Sequence, residues 1–139
     1  MPDTPKVLFI RSDELDSSVL EGILREHVML HRAADLLELK SHLEAGSYDV
    51  VFCGWSNPSG TWIDALEHVL QRYPDLPVVI FSRTAGEREW VEVLEAGAFD
   101  LLAAPYQKAE VLAVLEQAVA SYAARRLYNL APKVLALAS

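Results

Sequence analysis

Short apolar runs alternate five times with segments of helical periodicity, and this alternation constrains the fold more than any other feature of the chain. The third run, DVVFC, and the fourth, LPVVIF, are apolar at consecutive positions, as is typical of strands covered on both faces. Strands joined through helices form right-handed βαβ units with parallel pairing. The pattern therefore predicts an α/β fold, a (βα)5 three-layer sandwich around a parallel five-stranded sheet. The predicted strands are 6–10, 28–31, 49–53, 76–81 and 99–103.

Capping residues indicate where several of the helices begin and end. Asp35 is a candidate N-cap of the second helix, and Gly46 closes that helix. Thr84 and Glu87 form a capping-box pattern ahead of the fourth helix, and Gly97 supplies a left-handed stop after it. The fifth helix is predicted to be long and rich in alanine.

Composition and charge narrow the class of protein. The 139 residues are enough for one domain with a sizeable core. Only 12 basic residues stand against 20 acidic ones, a formal net charge of −8, so direct nucleic acid binding is not expected. The apolar run before Arg11 is too short for a signal peptide or a membrane span. We therefore expect a cytoplasmic protein without membrane contact.

Two longer stretches carry a resemblance to a known family. LPVVIFSRTAGEREWVEVLEAGAFDLLAAPY has a proline-led fourth strand that ends in a hydroxyl residue, a helix that closes in LEAGA, and a fifth strand that closes in a proline–aromatic pair. SYDVVFCGWSNPSG matches a third strand and its Pro/Gly loop, with Pro58 in the family's place. The chain resembles the response-regulator receiver (CheY-like) domain over about residues 5–125. The resemblance implies the flavodoxin-like strand order 2-1-3-4-5 and domain bounds of 1–125, with 126–139 an extension of the last helix or the start of a linker.

The resemblance also implies a site at the carboxyl ends of the strands. Receivers transfer a phosphoryl group to an aspartate after the third strand, with magnesium held by an acidic pair after the first. A hydroxyl, a lysine and a proline complete the family's site. Only the hydroxyl is kept here, which implies a degenerate pseudo-receiver that lacks the phosphoacceptor. The matching positions are Arg11 and Ser12 for the acidic pair, Gly54 for the aspartate, Ser82 for the hydroxyl, Ala104 for the lysine and Pro105 for the proline.

A different register would restore carboxylates, and the sequence argues against it. A shift by two residues brings Asp13 and Glu14 onto the acidic pair, but it turns the apolar stripe of the first helix away from the sheet. That stripe is Val19, Leu20, Ile23 and Leu24. Asp49 lies at the beginning of the third strand, roughly 15 Å from its end. We expect Asp13, Glu14 and Asp16 to cap the first helix, with a contact surface as the alternative.

Other candidate groups have two interpretations each. Cys53 is expected to be a buried structural cysteine, with a redox sensor as the less favoured alternative. Ser82 is either a retained hydrogen-bonding hydroxyl or a residue of the strand-to-helix loop, and the isomer of the Ala104–Pro105 bond is left open. The histidines are expected at the surface rather than at zinc, so no metal or cofactor is predicted. They are His27, His31, His42 and His68.

An excess of apolar residues on the last two helices predicts an interface. On the fourth helix Val91 and Leu94 suffice for the core, which leaves Trp90 and Val93 on a neighbouring face. Receivers commonly pair through the fourth helix, fifth strand and fifth helix, so we expect a homodimer there. Its predicted residues are Trp90, Val93, Leu101, Val111, Leu112, Leu115 and Tyr122. The apolar tail is expected to extend this interface, to fold back, or to begin a linker.

These observations predict a function without catalysis. We expect an atypical receiver in two-component, phosphorelay-type signal transduction that acts as a phosphorylation-independent protein-interaction module. Position 101, where the family has an aromatic switch residue, holds Leu101, so the usual switch is also missing. The alternative is a small-molecule sensor or an enzyme that uses the carboxyl edge of the sheet, and no phosphate-binding loop or acid–base pair supports it.

Overall fold

Five parallel strands form the centre of the computed structural model, which describes residues 4–12, 17–57 and 60–138 (for Asn57 and residues 129–138, the backbone only). In chain order the elements are β1 (Lys6–Ile10), α1 (Ser17–Arg25), β2 (Met29–Ala33), α2 (Leu36–Ala45), β3 (Val50–Gly54), β4 (Ser56–Asn57), β5 (Gly60–Thr61), α3 (Trp62–Arg72), β6 (Val78–Ser82), α4 (Glu87–Ala96), β7 (Asp100–Ala103) and α5 (Lys108–Ala138). The main sheet has the order β2-β1-β3-β6-β7, all pairs parallel. The predicted α/β fold and its flavodoxin-like order are confirmed. The short antiparallel pair β4–β5 was not predicted.

The sheet is buried on both faces because helices cover each of them. Leu8 and Ile10 point into a core with α2, α3 and α4, whereas Val7 and Phe9 point into a second core with α1 and α5. Every residue of β3 and β6 is buried, which explains why these runs are apolar without alternation.

The predicted helix ends are partly confirmed. The side chain of Asp35 accepts a hydrogen bond from the Glu38 amide at 2.9 Å, and Gly97 has a left-handed φ of 110° after α4. The capping box at Thr84 is wrong, because the N-cap of α4 is Gly86, which makes no side-chain cap bond. The amide of Thr84 instead donates to Ser82 Oγ within the preceding loop.

The apolar faces of two helices differ from the prediction. Val93, expected on an outer face of α4, is fully buried, and Val91, expected in the core, is 43% exposed. Trp90 and Val93 lie one turn apart on the side of α4 nearest β7, where the Trp90 indole Nε1 donates to Asp100 Oδ1 at 3.0 Å. On α1, Leu20 and Leu24 are buried as expected, but Val19 is exposed. The predicted caps at Asp13, Glu14 and Asp16 and the loop residue Pro58 lie outside the described residues.

Candidate functional site at the carboxyl edge of the sheet

The carboxyl ends of β1, β3, β6 and β7 bring the predicted site residues to one edge of the sheet. Arg11 and Ser12 follow β1, Gly54 ends β3, and Ser82 ends β6. Ala104 and Pro105 follow β7 and are joined by a cis peptide bond. The parallel pairing of these strands therefore assembles the positions that the sequence placed together.

The end of β3 is closed by the chain that follows β1. A Cβ atom on Gly54 would lie 2.6 Å from Ser12 Cβ, 2.7 Å from Ser12 Cα and 2.9 Å from the Ser12 nitrogen. Two of these three contacts are with backbone atoms, so a change of the Ser12 rotamer cannot relieve them. Ser12 is itself buried, whereas Arg11 is exposed and its charge is solvated. Position 54 can hold only glycine unless the β1–α1 backbone moves.

The end of β6 keeps a buried hydroxyl beside open space. Ser82 is 4% exposed, and its Oγ accepts a hydrogen bond from the Thr84 amide at 3.3 Å. The Ser82 carbonyl accepts from the Ala104 amide at 3.0 Å, which ties the β6 and β7 ends together. A cavity of about 230 Å³ opens here, lined by Trp55, Ser56, Ser82, Thr84, Ala85 and Glu89.

Sequence reasoning missed the role of Trp55, the first residue after β3. Its amide donates to the Phe81 carbonyl at 2.8 Å, and its carbonyl accepts from the Trp62 amide at 3.1 Å. The two indole rings lie 5.4 Å apart between centroids. A tryptophan directly after a buried strand was the available signal. The pair fixes the β3–α3 connection on the cavity side of the edge.

Cys53 has the structural character that the sequence indicated. Its side chain is fully buried, and burial raises the pKa of the thiol to about 12. The thiol is therefore protonated and inaccessible at neutral pH, as expected of a structural rather than a redox cysteine.

The histidines do not form a metal site within the described part of the chain, where no three His, Cys, Asp or Glu side chains cluster. His27 precedes β2, whereas His31 lies within it. His31 instead lies edge-on to Tyr48, whose hydroxyl is 3.4 Å from His42 Nδ1. Burial, followed by Lys40 and Arg72, lowers the pKa of His68.

Most of the predicted interface residues lie in the core of the chain. Trp90 is 44% exposed, and Leu112 and Tyr122 are partly exposed. The apolar surplus on the last helices therefore packs into both cores of the domain, and the seven residues do not form one outer surface. The buried ones are Val93, Leu101, Val111 and Leu115. In the described part of the chain, neither α5 nor any other helix has the continuous apolar length that a bilayer crossing needs.

Known proteins share both the sequence pattern and the fold. The DNA-binding transcriptional regulator NtrC of Proteus hauseri is 29% identical over 118 residues, 84% of this chain and 25% of that protein. The structure of NtrX from Brucella abortus superposes with a TM-score of 0.80 at 23% identity, over 93% of this chain and 30% of that chain. The beryllofluoride-activated NtrC4 receiver domain dimer superposes with a TM-score of 0.74 at 21% identity, over 84% of this chain and 98% of that one.

The matched ranges show which part of the known proteins this chain corresponds to. The chain spans a quarter of the length of the NtrC relative. The profile of the response regulator receiver domain matches residues 7–116, which contain the whole sheet except the first residue of β1. Receiver domains are signalling modules of two-component systems, and this chain belongs to the response regulator receiver domain family.

Proposed function

We propose that this chain is a degenerate cytoplasmic receiver that acts through protein contacts and is not phosphorylated at the end of β3. The observation that carries the proposal is the contact of 2.6 Å that any Cβ at Gly54 would make with Ser12. The family's chemistry needs a carboxylate there as the nucleophile, and glycine has no side chain to form an acyl phosphate.

The electrostatics of the edge support the same proposal. Magnesium prefers an octahedral set of oxygen ligands that includes carboxylates. The positions that match the family's acidic pair hold Arg11 and Ser12, and Ala104 holds none of the charge of the family's lysine. The group that would be transferred therefore has neither an acceptor nor its usual counter-charges.

Treatment with a small phosphoryl donor tests this directly. The chain is incubated with acetyl phosphate and magnesium, or with beryllofluoride and magnesium, and followed by intact mass and by two-dimensional NMR. We expect no added phosphoryl mass and no saturable shift of the amides at the edge. A receiver that carries the aspartate serves as the positive control. A saturable magnesium-dependent shift of the Gly54 or Ser82 amide would overturn the proposal.

The protein-contact surface that we propose is smaller than the predicted one. Trp90 and Val91 are both more than two-fifths exposed on α4, and the Trp90 indole is held over the edge strand β7 by its hydrogen bond to Asp100. A rigid, half-exposed tryptophan is the type of residue that anchors protein interfaces. We retain the α4–β7 surface as the site for a partner, without the buried residues Val93 and Leu101.

A second candidate function rests on the cavity beside Ser82. Its 230 Å³ and its lining by an indole, three hydroxyls and the Glu89 carboxylate suit a small polar ligand better than a phosphate group. Thermal-shift measurements with small neutral and cationic polar molecules test it, and nucleotides, flavins and cyclic dinucleotides serve as the larger, mostly phosphate-bearing comparison. A specific rise in melting temperature that is lost in Glu89→Gln would support the sensor function. If no ligand raised the melting temperature, the protein-interaction function alone would remain.

A further inference from the structure

α5 is longer than the sheet on which it packs. Its 31 residues span about 46 Å at 1.5 Å per residue, whereas a five-residue strand spans roughly 17 Å. α5 follows β7 and runs back along the sheet, so its last turns extend past the amino edge. Leu127 is 70% exposed and Tyr128 is 78% exposed. The C-terminal part of the helix therefore has surface that the domain does not cover.

The sequence of this part of α5 carries a heptad pattern. Apolar residues recur at alternate spacings of three and four, which is the a/d spacing of a coiled coil. In the same register, alanines occupy e at 124 and 131, and Arg126 and Lys133 occupy g. Pro132 falls at f, the register position opposite the seam. The a/d positions are Ala120, Ala123, Leu127, Leu130, Val134 and Leu137.

The seam begins on the body of the domain. An apolar groove of about 480 Å³ runs along α5 on the side of α1, and two of its lining residues are also the first two a/d positions. Their side chains are small, so a second helix can approach closely at this point. The rest of the groove is lined by apolar side chains of α5 together with Pro5, His27 and Glu116.

We propose that α5 pairs with α5 of a second copy of this chain in a parallel coiled coil whose seam begins at Ala120 and runs to position 137. α5 is one continuous helix to Ala138, which argues against a tail that folds back on the domain. A second copy supplies the same apolar seam. In a parallel pair the basic g positions face alanines at e, whereas an antiparallel pair sets basic g positions against each other.

This pairing is separate from the other surfaces of the molecule. The seam lies on the α1 side of α5, away from Trp90 and the α4–β7 surface. It does not involve Gly54, so the dimer is expected without any phosphoryl donor. Pairing through α5 is therefore independent of the chemistry at the carboxyl edge.

Sedimentation velocity over a concentration series tests the seam. The full chain is expected to dimerise, and Leu127→Glu is expected to raise the dimer dissociation constant by at least about 100-fold, because each dimer loses two buried leucines. Two charge-matched controls should stay within threefold of the wild type. Tyr128→Glu lies one residue away on the same helix but off the seam, and Trp90→Glu lies on α4. Circular dichroism verifies that each variant is folded.

Cross-linking tests the orientation. Leu130→Cys is expected to form a disulfide-linked dimer under mild oxidation, because equal d positions meet in a parallel pair, while the buried Cys53 does not compete. Tyr128→Cys is the control that should remain uncross-linked. A wild-type monomer at all concentrations, a dimer that survives Leu127→Glu, or a dimer lost equally in Tyr128→Glu or Trp90→Glu would overturn the proposal. Leu127→Ala, which adds no charge, gives the same decision if the glutamate variant fails to fold.

Discussion

β3 and β6 lie side by side in the sheet, with Gly54 paired to Phe81, yet the space beyond their carboxyl ends is filled differently. Beyond β3, Ser12 packs against the bare backbone of Gly54. Beyond β6, Ser82 opens onto a cavity of about 230 Å³. The side that bears the reacting group in the family is closed by main-chain packing, and the side that bears the binding hydroxyl is open. Two neighbouring strands of one continuous sheet therefore end in different packing.

Adding a side chain at Gly54, at the closed end of β3, is expected to have the largest effect on the free energy of unfolding. Gly54→Ala should lower the free energy of unfolding by about 1–3 kcal/mol, because its Cβ would overlap the Ser12 backbone. Gly54→Asp should cost more, since it also buries a carboxylate without a partner. Urea denaturation measures both, and Gly54→Asp is expected to gain no response to beryllofluoride.

A matched glycine elsewhere separates this contact from the general effect of adding a methyl group. Gly22 lies within α1, and a Cβ there would meet nothing within 4 Å. Gly22→Ala should stabilise the protein by about 0.5–1 kcal/mol through helix propensity. If Gly54→Ala stabilised the protein as Gly22→Ala does, the Ser12 backbone would not close the end of β3. The two strand ends would then not differ in packing.

The sequence predicts what depends on local pattern. The buried strands β3 and β6 follow from consecutive β-branched and aromatic residues, and the end of α4 follows from Gly97, because only a residue that tolerates positive φ fits there. The predicted site positions share the carboxyl edge of the sheet because parallel strands align their ends, and their role stays a prediction.

What the sequence could not predict depends on packing between distant segments. The contact of Ser12 with Gly54 joins residues 42 positions apart, and the sequence reveals only that position 54 is a glycine. On α4, Trp90, Val91, Val93 and Leu94 fit two overlapping helical stripes, and which stripe is buried depends on how the helix packs on the core, where only Val93 is fully buried. The seven-residue interface was wrong in part for the same reason.

At the β3 end, ionisation of the Cys53 thiol, next to Gly54, is expected to have an intermediate effect on the free energy of unfolding. Burial raises the pKa of Cys53 from 9.0 to about 12, so the native state holds this proton more tightly than the unfolded chain. The stabilisation is complete below pH 9 and is lost as the pH rises from 9 towards 12, with a slope of at most about 1.4 kcal/mol per pH unit. Urea denaturation from pH 8 to 10.5 measures it.

A cysteine-free variant isolates that slope. Tyr48, whose pKa burial also raises, contributes to both proteins, so the difference between wild type and Cys53→Ala reports the thiol alone. At pH 8 the native thiol should react with Ellman's reagent far more slowly than in urea. Rapid stoichiometric labelling of the folded protein would show that the β3 end is open.

The smallest effect is expected at the open end. Ser82→Ala removes the acceptor for the Thr84 amide and should lower the free energy of unfolding by about 0.5–1.5 kcal/mol. Thr84→Ala is the matched control, because it keeps the same hydrogen bond through its backbone and should stay within about 0.5 kcal/mol of the wild type. Since the cavity admits water to the freed amide, the loss should be well below that of Gly54→Asp in the same urea titration. A loss at Ser82 as large as at Gly54 would mean that both strand ends are closed by packing, and the open cavity would then be no candidate for a ligand.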